Sequence, residues 1–278
     1  MPSASDGCWI GPNTWKLSRH PRASTPTSDF SIVKPPNRNL VLSPIGDESV
    51  HQCWLSGGET PAFDLCLVYY GSRPSFGRDD ATYYLQRVGF KYELFDHVAR
   101  EHAPILRSYA NIWCPDHDIR VDAAGINRMF ALFEKYRLQM AQPAIANGDI
   151  TYQTMRPQPG VILRYTPFVE VMCPLFTREA FWRVLPTFLE SRSSWGLDII
   201  WPRFFGPQEM AILDQTPVEH CGELFRGDLY QKLAALGVSP RDELLAIAAK
   251  FGGISPELHR QLREGSIRLP AVREPQSG

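Results

Sequence analysis

Tyr109-Ala-Asn-Ile-Trp-Cys-Pro-Asp-His-Asp118 runs from an apolar strand straight into two aspartates. Upstream, Asn39-Leu-Val-Leu-Ser-Pro-Ile-Gly46 and Phe63-Asp-Leu-Cys-Leu-Val-Tyr-Tyr70 are further apolar runs, each stopped by a glycine. Runs without polar alternation fit strands covered on both faces, as in a largely parallel sheet. A strand is expected near Tyr83–Arg87 and a helix from about Lys91 to His102, with Leu94, Phe95 and Val98 on one face. Downstream of the aspartates, Asp122 can cap a helix in which Ile126, Met129, Phe130 and Phe133 recur at helical spacing. Strand, helix and strand in alternation predict an α/β protein with a three-layer mixed sheet.

Further along, the pattern predicts a strand at Phe168–Met172. It then gives a helix opened by Thr177, with Phe181, Trp182, Leu185, Phe188 and Leu189 buried and a kink at Pro186. A turn at Trp195-Gly-Leu-Asp198 and a strand near Ala211–Asp214 follow. Beyond Leu224 come three short helical segments. Two of them open with Ser-Pro (Ser239, Ser255), and Gly252 and Gly265 stop them. The expected organisation is an irregular lead-in at 1–37, where prolines, serines and threonines show no period, a central domain at 38–224, and a helical appendix at 225–278 without visible chemistry.

The whole chain has 278 residues, with 29 Lys+Arg against 30 Asp+Glu. That balance argues against a nucleic-acid partner, which needs clustered surplus cations. Hydrophobic residues at 44% and charged ones at 21% suit a buried core. No apolar run approaches the roughly 20 residues of a membrane helix, and Met1 to His20 lacks a signal pattern. The six cysteines form no C-x-x-C pair, so ordinary reduced thiols and a cytoplasmic protein, free or peripheral to a membrane, are expected.

With 15 aspartates in the chain, chance alone yields about one D-x-D pair. Position gives Asp116 and Asp118 their interest, because ligands of open α/β sheets bind beyond the carboxyl ends of the strands. Two carboxylates there favour a hard cation, Mg²⁺ or Mn²⁺, able to hold a diphosphate. Helix capping with solvated charge is the plainer alternative. At Trp195-Gly196-Leu-Asp198, the glycine admits a ligand to the backbone, the indole offers a flat face, and Asp198 could accept a hydroxyl proton; a helix stop with a core tryptophan explains the same residues. His220 is either a ligand or a structural histidine. Glu170 is a carboxylate in an apolar run, paired, functional or on an exposed face.

Taken in order, Gln142-Pro-Ala144, Val169-Glu-Val-Met-Cys-Pro-Leu-Phe-Thr-Arg178, Trp195-Gly-Leu-Asp198 and Asp214 through Val218 to His220 resemble a domain-of-unknown-function family, number seven-zero-seven. That family looks like a branch of the GT-A glycosyltransferases. The resemblance spans about Leu40 to Cys221. It implies a nucleotide-sugar half and an acceptor half, with Asp116 and Asp118 holding a metal and the sugar diphosphate, His220 as a further metal ligand, and Asp198 as base. It places Gly46 and Asp47 at the nucleotide and Lys91 on a helix facing the diphosphate. The middle residue of the D-x-D is acidic in the relatives and His117 here, one negative charge fewer.

The expectation is therefore a glycosyltransferase dependent on Mn²⁺ or Mg²⁺. It would move sugar from a nucleoside-diphosphate sugar to a carbohydrate or other hydroxyl acceptor, with Trp195 stacking on a sugar ring. Two alternatives stay open: a non-catalytic carbohydrate-binding or scaffold protein of the same fold, and a metal-dependent phosphohydrolase joining His117 and Asp118 to His97, His102 or His220.

Overall fold

The computed structural model describes residues 28–29, 37–224 and 228–275. The lead-in at 1–37 lies almost wholly outside them. Among the described residues the strands, in chain order, are β1 (Ser28–Asp29), β2 (Asn39–Ile45), β3 (Phe63–Tyr69), β4 (Tyr83–Gln86), β5 (Asn111–Trp113), β6 (Ile119–Arg120), β7 (Met140–Asn147), β8 (Val161–Tyr165), β9 (Leu175–Thr177), β10 (Met210–His220) and β11 (Ala271–Arg273). The helices are α1 (Lys91–Glu101), α2 (Ala103–Leu106), α3 (Ala123–Lys135), α4 (Arg178–Val184), α5 (Leu197–Ile200), α6 (Asp228–Ala235), α7 (Pro240–Phe251) and α8 (Pro256–Glu264).

All the strands join one mixed sheet in the order β1-β4-β3-β2-β5-β9-β7-β10-β8-β11, with β6 paired to β10. The block β4-β3-β2-β5 is parallel throughout. β3 is buried along its whole length and β2 from Leu40 onward, which is why neither alternates in polarity. From β2 the chain steps outward through β3 to β4, then returns to lay β5 on the other side of β2. This reversal makes a crevice beyond the carboxyl ends of β2 and β5.

Local signals act as their chemistry dictates. The Asp122 carboxylate accepts from the Gly125 amide at 2.7 Å, satisfying an otherwise free donor at the start of α3. Ser239 and Ser255 cap α7 and α8 with Pro at the first turn. Much of the aromatic content is core: Trp54, Trp113 and Trp201 are fully buried, and their indole N–H groups donate to Ile119 O, Cys173 O and Thr187 Oγ1. The thiols of Cys66, Cys114 and Cys173 are free and buried.

Four expectations are corrected. Phe168–Met172 is a buried loop instead of a strand, because its backbone is bound by side chains: the Val171 carbonyl accepts from Lys91 Nζ and Tyr92 OH, and the Glu170 amide donates to Gln142 Oε1. Leu189 is 56% exposed, since the helix tightens to a 3₁₀ segment over Leu185–Glu190 at Pro186 and the shorter period turns Leu189 outward. The strand expected near Ala211–Asp214 continues to His220; its register against β7 shifts between Leu213 and Val218, around a proline that has no N–H for the ladder. The C-terminal segment carries a strand besides its helices: β11 pairs antiparallel with β8.

Candidate functional site

A cleft of about 1440 Å³ opens at the β2/β5 reversal. Gly46, Asp47, Lys91, Asp116, Asp118, Glu170, Trp195, Asp198 and His220, the residues the sequence assigned to metal, nucleotide sugar and base, line it. His97 and His102 do not, so the phosphohydrolase grouping through them is not assembled.

On the β2 side, the Asp47 carboxylate accepts from the hydroxyls of Tyr69 and Ser72 and from the amides of Ser72 and Arg73. The Tyr69 hydroxyl, with the Ser72 and Arg73 donors, holds its pKa well below the usual carboxylate range. Asp47 thus fixes the turn after β3. At Gly46 a methyl group would stand 2.9 Å from the Tyr70 hydroxyl, so the glycine permits the Tyr70 ring to lie across the end of β2.

At the floor, Lys91 is the first residue of α1. A cation there opposes the helix dipole and needs compensation, which it receives from Asp116 Oδ1 at 2.7 Å and the carbonyls of Val171 and Met172 at 2.8 and 2.7 Å. All three ammonium protons are thereby used. Burial raises the Asp116 pKa, against the pull of Lys91.

His220, at the end of β10, turns Nδ1 to the Asp149 carbonyl at 2.8 Å and Nε2 to Asp118 Oδ2 at 3.4 Å. Burial works against the imidazolium, but the hydrogen bond with Asp118 outweighs it and brings His220 to about 9. Burial likewise pushes Asp118 up, yet the His220 partner leaves its pKa below the ordinary value. Gly222 makes room for the pair, since a methyl group there would fall 2.1 Å from Asp118 Oδ2.

Glu170 and Asp198 lie deepest, 6% and 5% exposed. Burial, followed by repulsion from Asp198 and Asp116, raises Glu170 to about 8. Burial raises Asp198 to about 7, moderated by the amides of Ile199, Asp198 and Val171. Three of the eight buried polar atoms without a partner among the described residues belong to the cleft lining: Glu170 Oε2, Asp118 Oδ1 and His117 Nδ1. Orphaned groups clustered around a cleft mark a place where a ligand supplies the missing partners.

Gly196 stands at φ +92°, and a methyl group on it would lie 3.1 Å from Leu244 Cα of α7. The turn that presents Trp195 therefore packs against the C-terminal helices. Glu243 of α7 accepts from Ser191 Oγ, Arg192 N, Ser193 N and Ser193 Oγ. Tyr230 OH lies 3.4 Å from Trp195 Nε1, and Tyr152 OH is 3.1 Å from His259 Nε2. The segment read as a chemically silent appendix thus supplies a wall of the cleft. Sequence reasoning missed Tyr70, Tyr152, Tyr230, Lys232, His259 and Arg263, which also line it. Only Tyr70, immediately before a glycine at a strand end, carried a local signal.

Asp116, Asp118 and His220 do not fit a divalent ion as arranged. Among the described residues no three His, Cys, Asp or Glu side chains gather closely enough to hold one. Asp116 Oδ1 is committed to Lys91 and Asp118 Oδ2 faces His220, which leaves Asp116 Oδ2 and Asp118 Oδ1 as acceptors. Two oxygens fall far short of the six or so that a hard cation takes. Asp214 does not reach the cleft: it is ion-paired with Arg164 at 3.0 Å.

No family model and no curated protein matches the chain. Solved structures give distant likenesses. TarS of S. aureus is 8% identical, with a TM-score of 0.42, over 77% of this chain and 44% of TarS. Its fragment 1-349 in complex with UDP is 8% identical with a TM-score of 0.36, over 65% of this chain and 59% of the fragment. A197 from STIV is 13% identical with a TM-score of 0.35, over 69% of this chain and 87% of A197. The chain spans less than half of TarS in the first comparison, and likenesses this distant transfer no function. No helix among the described residues is long and apolar enough to cross a membrane.

Proposed function

We propose that this chain is a glycosyltransferase that moves a sugar from a nucleoside-diphosphate sugar to an acceptor hydroxyl, in keeping with its resemblance to family seven-zero-seven and the GT-A enzymes. The observation that carries the reading is the pair of buried carboxylates, Glu170 and Asp198, in a cleft at the sheet's reversal point. The nucleotide lies along Gly46, Asp47 and Tyr70, and the sugar reaches toward Trp195. Asp198 takes the acceptor's hydroxyl proton as the new glycosidic bond forms. The bond to the diphosphate breaks at the same carbon, and the nucleoside diphosphate leaves with that electron pair. A carboxylate near 7 suits a base at neutral pH, and the Ile199 and Val171 amides hold it in one orientation. The reduced core thiols accord with a cytoplasmic site of action.

The test is release of nucleoside diphosphate from a panel of UDP-, GDP- and ADP-sugars offered with saccharide acceptors. Asp198→Asn is expected to bind donor as the wild type does and to lower release by roughly 100-fold or more; undiminished release would reject Asp198 as base. Donor binding with no turnover on the whole panel would favour the non-catalytic carbohydrate-binding reading.

A further inference from the structure

We propose that Lys232, contributed by the C-terminal helix α6, binds the diphosphate of the ligand in the role a divalent ion was expected to fill. The inference rests on the nucleotide reading of the cleft given above. A diphosphate brings at least two negative charges into a site that already holds Asp116 and Asp118. Those carboxylates are matched by Lys91 and His220, so the floor has no cation to spare.

Lys232 differs from both. It lines the cleft, its side chain is exposed, and no carboxylate lies within ion-pair distance of it among the described residues. Its contact there is cationic and aromatic: Nζ stands 5.5 Å from the centre of the Tyr70 ring. That ring packs edge-on against His117, at 6.0 Å, and closes over Gly46. Lys232 is thus poised above the two chain segments, at the ends of β2 and β5, between which a ligand must lie. Tyr230, two residues earlier, approaches the Trp195 indole and ties α6 to the wall of the cleft. An ammonium on a flexible stem binds phosphate as a point charge and needs no fixed coordination shell.

The experiment is calorimetric titration of the full chain with UDP, GDP, ADP and inorganic pyrophosphate, each in EDTA and again in Mn²⁺. The expected result is binding in EDTA that Mn²⁺ leaves unchanged. Lys232→Gln should weaken it roughly tenfold or more, the scale of one lost charged contact, and Lys232→Glu further. Lys232→Arg should keep affinity within about threefold, since the charge persists. Lys232 is exposed, so melting temperatures should be unaltered and the variants should fold. Binding that needs Mn²⁺, or binding in EDTA that Lys232→Gln does not weaken, would overturn the assignment while leaving the nucleotide site intact. If none of the four probes binds with or without Mn²⁺, the nucleotide reading falls and this inference with it.

Discussion

Two charged clusters in this protein are finished differently. Beneath β8 and β10, the Arg164 and Asp214 side chains are 3% and 0% exposed. The Arg164 guanidinium donates to both Asp214 oxygens and to the carbonyls of Thr154 and Arg156, while the Gln158 amide donates to Asp214. Nothing is left over. At the β2/β5 crevice, Glu170 Oε2 and Asp118 Oδ1 are buried without partners. A saturated cluster is part of the scaffold, whereas an unsaturated one costs stability that a bound molecule can recover.

The comparison breaks if removing the first cluster's cation is harmless. Arg164→Met should leave Asp214 buried and unpaired and destabilise the fold by about 3–5 kcal/mol in chemical denaturation; a loss under about 1 kcal/mol would show that the pair is not structural.

Glu170 should behave in the opposite sense. Its carboxyl is raised from 4.5 to about 8 in the folded chain. Stability is therefore fully present below pH 4.5 and drains away as pH rises toward 8, where the folded group also ionises. Glu170→Gln should flatten that decline, gaining about 2–3 kcal/mol at pH 8 after allowance for relaxation of the site. Denaturation curves between pH 4 and 9 (about 1 unit apart) decide it; an unchanged slope would mean that Glu170 has a partner in solution. Asp198, raised from 3.8 to about 7, adds a parallel decline that the variant should retain.

The smallest effect is expected at Gly222. Gly222→Ala should displace Asp118 and dissolve its contact with His220. The raised His220 pKa gives stability that is complete below 6.5 and lost as pH climbs through about 9. The variant should lack this alkaline step, which is worth about 1–2 kcal/mol after allowance for solvent screening at the partly exposed Asp118. An alkaline step of wild-type size in the variant would assign it to another group.

Sequence patterns carry far when the deciding contacts are local. α1 and α3 keep the buried faces that their spacing defines, and the caps at Asp122, Thr177, Ser239 and Ser255 need only the next three residues. Asp116, Asp118, Trp195, Asp198 and His220 sit at strand ends or at a Trp-Gly turn, local features that a parallel sheet gathers at one edge, whereas Gly46, Asp47 and Lys91 came through the family resemblance and Glu170 through its place in an apolar run. Their pairing was not legible. Lys91 meets the Val171 and Met172 carbonyls 80 and 81 positions away, and that distant contact removes the expected strand at Phe168–Met172, while the same ammonium occupies Asp116 Oδ1. Glu243 likewise reaches across some fifty positions to Ser191–Ser193, so nothing in the spacing of α7 showed that it braces the Trp195 turn.

The three residues of β11 have a consequence for solubility. Without them β8 would be the outermost strand, offering a free row of amides and carbonyls along an apolar stretch, the kind of margin on which chains stack into aggregates. Ala271–Arg273 occupies that row and presents to water a new margin that is too short and, at Arg273, too charged to recruit another chain.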